Sequence, residues 1–174
     1  MNRLLYLGSF LLIFIAAKNL RASADSVAVD AGLNFSVQDI DGNEQSFASY
    51  LGKGPVLITF WAMWCDPKHE LRVFKTLVEK FKDRGVTMIA INADKVKSLA
   101  KVRSFVKTQG IDVPVLIDPD GSIAQERFAL ETIPFSLILN PNGSVYKKHQ
   151  GFCTGNESIV EKDIEELLQI LKGK

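Results

Sequence analysis

Cys65 is the residue with the clearest chemical potential in this chain. It closes most of the stretch TFWAMWCDPKHEL (residues 59–71), in which an apolar run carrying Trp61 and Trp64 delivers a thiol and Asp66-Pro67 opens a helical pattern. Asp66 suits an N-cap and Pro67 suits the first helical position. A helix begun there aims unpaired backbone N–H groups and partial positive charge at the sulfur, favouring thiolate and lowering a thiol pKa below its free value of about 8.5. Lys68 and His69, at the same helix start, are further candidates for supporting the anion. The chemistry implied is attack by sulfur on a disulfide, after which a second thiol must resolve the mixed disulfide. The chain holds one other cysteine, Cys153.

The two cysteines and two histidines also fall as Cys65-x-x-x-His69 and His149-x-x-x-Cys153. Thiolate and neutral imidazole bind zinc and copper, and Cys65 and His69 share a helix face if both lie in its first turns. His149 and Cys153, on or beyond a strand, would be about 13 Å apart, too far for one ion unless the strand ends between them. A zinc or copper site from Cys65, His69 and Cys153 or His149 is thus the minor alternative, and the expectation is no metal and no cofactor. Cys153 also fits a small half-buried apolar residue.

The elements that must position Cys65 follow from hydrophobic periodicity. Residues 55–61 form a continuous apolar run of strand length, typical of burial on both faces. Leu71, Phe74, Leu77, Val78 and Phe81 recur at helical spacing up to Gly85. Residues 86–92 predict a second buried strand, and Val96, Leu99, Val102, Phe105 and Val106 a helical stripe ending at Gly110. Residues 113–117 predict a strand and residues 123–128 a short helix. Residues 135–139 and 145–150 flank Asn140-Pro-Asn-Gly143 as a hairpin. Thr154 and Glu157 have capping-box spacing before a last helix faced by Val160, Ile164, Leu167, Leu168 and Leu171. Ahead of all these, residues 35–40 and 45–47 read as two short strands about a turn. Alternating strands and helices followed by a hairpin and a helix mean an α/β domain whose central mixed sheet is covered on both sides.

The 174 residues are 47% hydrophobic and 24% charged, enough for one domain with a real core, and no repeats divide them. A net charge of +1, with no run of Lys or Arg, argues against nucleic acid as a partner. Residues 1–24 carry early positive charge, an apolar run of about 14 residues and a small-x-small site at Ala22-Ser-Ala24, the order of a secretory signal and short of the ~20 residues that span a bilayer. Lys18 and Arg21 leave an uncleaved anchor open. The division is therefore a signal peptide or anchor at 1–24, a linker at 25–32 and a folded domain at 33–174. Either outcome places the domain in an exported compartment, periplasmic or membrane-anchored facing the periplasm in a bacterium and secreted otherwise, where disulfides persist.

Trp61-x-x-Trp64-Cys65-Asp66-Pro67 resembles the W-x-x-W-C-x-P-C segment of the thioredoxin superfamily, and more narrowly its exported TlpA/ResA group. DIDGNEQSF, VTMIAINAD and VPVLIDPDGSIAQERFALETIPFSLILNPNG resemble that group's N-terminal hairpin, its next strand and its later segment, in order. The resemblance implies a thioredoxin-like fold with an N-terminal β-hairpin, a cis-proline at Ile133-Pro134 facing Cys65, and a peptide groove formed by Trp61, Trp64, Ile133, Pro134 and Phe152. It implies protein thiols or disulfides as partners, with membrane attachment if the signal stays uncleaved. Glu70 resembles the group's active-site glutamate, the bland alternative being a surface charge.

The departures reshape the chemistry. Lys68 stands where the resemblance puts the second cysteine, and the residues after it run one place early, so one residue has been lost behind Pro67. Thr59 occupies the place of a buried aspartate in thioredoxins and cannot serve as a base. Peroxidases of this fold carry Pro and Thr where Ile58 and Ala62 stand here. The sequence supports a thiol–disulfide redox protein with Cys65 as single nucleophile and Cys153 as candidate resolving partner. The alternative is a redox-inactive domain that keeps the groove to bind or chaperone a protein.

Overall fold

In the computed structural model, the described residues are 31–152 and 155–173. Five strands, β3 (Val56–Trp61), β4 (Thr87–Asn92), β5 (Val115–Ile117), β6 (Phe135–Leu139) and β7 (Val145–Gln150), form one sheet in the order β5-β4-β3-β6-β7. The β3–β4 and β4–β5 pairs are parallel, and β3–β6 and β6–β7 antiparallel. A separate antiparallel hairpin, β1 (Ser36–Gln38) and β2 (Glu44–Ser46), precedes them and is tied to the sheet edge by the Ile40 N–H donating to the Val115 carbonyl at 2.8 Å. The Asp39 carboxylate closes its turn by accepting from the Asp41 and Asn43 N–H groups at 2.9 and 2.8 Å.

Side-chain alternation along β3 sorts the core. Leu57 and Trp61 face helices α1 (Lys68–Glu79), α2 (Leu99–Gln109) and α3 (Glu157–Lys172), joining Leu71, Phe74, Val102, Ile164 and their neighbours. Val56, Ile58 and Phe60 face the other way, onto Leu33, Phe47, Leu51 and the turn around Ala124 and Phe128. All six residues of β3 are buried, matching its apolar run. Thr59, between Leu57 and Trp61, must therefore point toward the α1 side. Gly143 shows why the second layer needs a glycine: its φ is +92°, and a Cβ there would lie 2.5 Å from Leu33 Cδ1.

Several elements differ from the periodicity. The pattern to Gly85 ends early as a helix, with α1 stopping at Glu79 and a tight turn at Lys82–Arg84 following. Residues 123–128 form a single π-turn, Ile123–Arg127, whose first N–H groups donate to the buried Asp118 carboxylate. Val96 does not join the α2 stripe. It lies in the turn Val96–Ser98 ahead of the helix and is 68% exposed. The capping-box Thr154 lies outside the described residues. Asn156 is the α3 N-cap, and the Glu157 carboxylate accepts from the Gly155 N–H at 2.7 Å.

Candidate functional site

The site forms where the central strand gives out. After β3 the chain continues extended through Ala62 and tightens into the turn Met63–Cys65, in which the Cys65 N–H donates to the Ala62 carbonyl at 3.0 Å. Asp66 then takes a left-handed conformation, φ +49° and ψ +62°, which Asp tolerates because its short polar side chain costs little there. Pro67 is the N-cap of α1 and Lys68 its first residue. The expected cap at Asp66 with Pro67 inside the helix is thus shifted by one residue.

That shift separates the sulfur from the helix. Two residues intervene before α1, and Pro67 has no N–H to offer. Cys65 is half-buried and free, and burial pushes its thiol pKa up. A separate backbone hydrogen bond from Ala62 to the thiol opposes this, while the charges of Glu70 and Asp94 add to it. The helix start, with Lys68 and His69, is expected to favour the thiolate, whereas the charges that act on the thiol are those of Glu70 and Asp94 and favour the protonated form. Lys68 and His69 are both exposed.

Glu70 lies on the inward face of α1 and is 4% exposed. Thr59 Oγ1 donates a short hydrogen bond to Glu70 Oε1, joining the strand to the helix beneath the thiol. Burial raises the Glu70 pKa to about 7, with the Thr59 bond pulling the other way. Thr59 is no base, but it is the partner of a buried carboxyl group. The sequence left Glu70 open between a site residue and a surface charge, and the structure rules out the surface.

Asp94 went unread as a site residue. Its carboxylate, 7% exposed, accepts from the Met63 N–H at 2.7 Å and from Asn92 Nδ2 at 2.9 Å. The Ala93 N–H donates to the Trp61 carbonyl at 2.9 Å. The end of β4 therefore clamps the turn that presents Cys65. The available signal was Asn92-Ala-Asp94, two polar residues closing an otherwise apolar strand.

Of the groove residues, Trp64 is 70% exposed, whereas Trp61 is fully buried with its ring 5.6 Å from that of Phe105. Trp61 therefore shapes the site from within the core. The Ile133-Pro134 bond is cis, and both residues are half-buried. Phe135 pairs with Phe60, which sets Pro134 beside the end of β3, and the Pro134 carbonyl accepts from the Gly151 N–H at 2.9 Å. Phe152 packs edge-on against His69 and Phe74, with centroids 5.6 and 5.4 Å away. Cys153, the next residue, lies outside the described residues. His149, on β7, faces α3, where its Nε2 stands 3.1 Å from Asp163 Oδ2. Among the described residues no group of three or more His, Cys, Asp or Glu is placed to hold a metal ion. Ile58 and Ala62, the positions that a peroxidase would give to Pro and Thr, are buried apolar residues.

The family model described as AhpC/TSA matches residues 29–148. Thiol-disulfide oxidoreductase ResA of Bacillus thuringiensis subsp. konkukian (strain 97-27) is 33% identical over 137 residues, covering 78% of this chain and 73% of that protein. The protein of the same description from Bacillus subtilis (strain 168) is 29% identical over 140 residues, or 80% and 73% of the two chains. The solved structure of MTB dsbF matches with a TM-score of 0.65 at 25% identity, over 80% of this chain and 99% of that one.

Proposed function

Because the chain belongs to the AhpC/TSA family, as a TlpA/ResA-like member of the thioredoxin superfamily, we propose that it performs thiol–disulfide exchange with Cys65 as the nucleophile. The observation that carries this reading is the buried carboxyl group of Glu70, close enough for its charge to act on the Cys65 thiol and titrating at about 7. A general base works best when its pKa lies near the operating pH. Glu70 takes the thiol proton, Cys65 sulfur attacks one sulfur of a protein disulfide, and the other leaves as a thiolate that is then protonated. The product is a mixed disulfide on Cys65.

With Lys68 in place of a neighbouring cysteine, release needs a thiol from elsewhere. An outside thiol, or Cys153 just beyond Phe152, attacks the Cys65 sulfur and expels the bound protein as a thiol. A thiol of raised pKa is the stronger nucleophile once ionised and the poorer leaving group, so attack on the partner's sulfur, which would return Cys65 as a thiolate, is the slower route of release. Trp64, Ile133, Pro134 and Phe152 line the bound partner's groove, and Lys68 and His69 face it. Residues 1–24 act as signal or anchor and 25–32 as linker, so that exchange occurs outside the cytoplasm. Among the described residues no helix is long and apolar enough to cross a membrane.

The raised thiol pKa gives weight to a second reading, a domain that binds protein without reacting. Alkylation of Cys65 followed against pH, with the adduct mapped by mass spectrometry, separates the two. Exchange through Glu70 requires a rate inflection near 7 as the carboxyl ionises. A single inflection at or above the free-thiol value of about 8.5 leaves only the binding role.

A further inference from the structure

We propose that the loop between β4 and α2, together with Trp64, docks an acidic segment bearing an apolar anchor on the protein whose sulfur meets Cys65. The proposal deepens the exchange reading and rests on it for the reacting sulfur.

The loop and the Cys65 turn are fixed to each other. Asp94 accepts from Met63, and Ala93 donates to Trp61. Lys95, Val96 and Lys97 follow at once, and all three are exposed. Trp64 and Val96, at 70% and 68%, are the most exposed large hydrophobic residues among those described. Large apolar side chains displayed together beside a reactive group mark a contact surface.

Charge identifies what fits there. Residues 95–111 contain five basic residues and no acidic one, Lys95, Lys97, Lys101, Arg103 and Lys107 being spaced by neutral residues. The absence of a contiguous Lys or Arg run hid this concentration in the sequence. Arg103 is committed to the Ile40 carbonyl at 2.6 Å. The side chains of Lys95, Lys97 and Lys68 make no hydrogen bond or ion pair among the described residues. The site's carboxylates Glu70 and Asp94 are buried, which leaves Asp66 as the exposed acid of the Cys65 turn. Exposed lysines on either side of Val96, in a loop bonded to the turn that carries Trp64, complement an acidic segment with an apolar side chain. An anionic membrane would satisfy the lysines but offers no sulfur to the Cys65 thiol.

The test uses the full chain and synthetic peptides whose single cysteine is activated as a 2-pyridyl disulfide. Attack by Cys65 forms the Cys65–peptide S–S bond, breaks the peptide–pyridyl S–S bond and releases pyridine-2-thione, which is read by absorbance while mass mapping places the adduct. An acidic peptide with a flanking Leu should react about tenfold faster than its basic counterpart at low salt. Raising salt to about 1 M should erase the difference. Lys95→Glu/Lys97→Glu should reverse the preference while the rate with neutral 2,2′-dithiodipyridine stays unchanged. Equal rates for the two peptides, or a preference that survives the charge reversal, overturns the proposal.

Failure of every disulfide to react would sink the exchange reading alone. Docking is then decided by titrating tryptophan fluorescence with a cysteine-free acidic peptide, where binding lost in the double variant supports it and no binding overturns it. Sedimentation with phosphatidylglycerol vesicles that is stronger than binding to the acidic peptide, and lost in the same variant, assigns the lysines to a membrane and also overturns it.

Discussion

Two carboxyl groups on the helical side of the sheet, half-buried Asp163 and buried Glu70, have opposite surroundings. Asp163, on α3, has basic partners: the imidazole His149 Nε2 at 3.1 Å and the Lys147 Nζ cation at 3.9 Å. Among the described residues Glu70, on α1, has for side-chain partner only the neutral hydroxyl of Thr59. The first arrangement fastens a helix to an edge strand. In the second, burial without a counter-charge favours the protonated acid and brings its titration to about 7. The difference shows how one fold makes a carboxyl group a fastening in one place and a group that titrates near neutrality in another.

The pH dependence of stability gives the sharpest way to break this contrast. Glu70 holds its proton in the native state up to about 7, whereas the unfolded chain releases it near 4.5. The native state binds more protons in that window, so the stability Glu70 contributes is full below 4.5 and is lost as pH rises through 7. The loss amounts to about 3 kcal/mol. Glu70→Gln should remove it, so that denaturant unfolding at pH 5 and pH 8 differs by less than in the parent. An unchanged difference would mean that Glu70 is already ionised at pH 5.

Asp94→Ala should come next. It leaves the Met63 N–H and the Asn92 amide without their acceptor, at a cost of about 2 kcal/mol. It should also lower the Cys65 pKa by removing a negative charge, a shift visible in the alkylation profile. A destabilised variant whose profile did not move would reduce Asp94 to a structural clamp. Thr59→Val, which keeps the side-chain shape, removes the bond that favours ionised Glu70. The inflection assigned to Glu70 should therefore rise by about one pH unit, consistent with a hydrogen bond to a charged group. A downward movement would contradict the hydroxyl's role as donor.

His149→Gln should have the smallest effect and the opposite sign. Burial depresses the His149 pKa, with Asp163 opposing and Lys147 adding. The unfolded chain therefore takes up a proton near 6.5 that the native chain resists, and stability falls as pH drops below that value. Replacing His149 should flatten the acid side of the stability profile. In Glu70→Gln the remaining trend should carry this His149 sign.

Much of the architecture was legible in one dimension because it rests on local periodicity. The unbroken apolar run of β3 announced a strand buried on both faces, and the spacing from Leu71 to Val78 announced the inward face of α1. Turn chemistry was similarly local, since Asp39 and Asn142 bond their own neighbouring N–H groups. Val96 was misread because a residue one turn ahead of a helix keeps the helix's spacing without sharing its packing.

For the site, the sequence by itself determined that a single cysteine ends a central strand, that Lys68 stands where a second thiol belongs, and that Thr59 is no base. Only the tertiary structure decided what surrounds the sulfur. Alternation on β3 turns Thr59 toward α1, where it meets Glu70 eleven positions along the chain. The parallel β3–β4 pairing brings Asp94 to the same turn from thirty-one positions away. The direction in which the thiol pKa moves depends on burial and on charges brought near by folding. Neither is written in the spacing of residues around Cys65, which is why the helix start predicts a lowered thiol pKa while burial in the folded chain pushes it up.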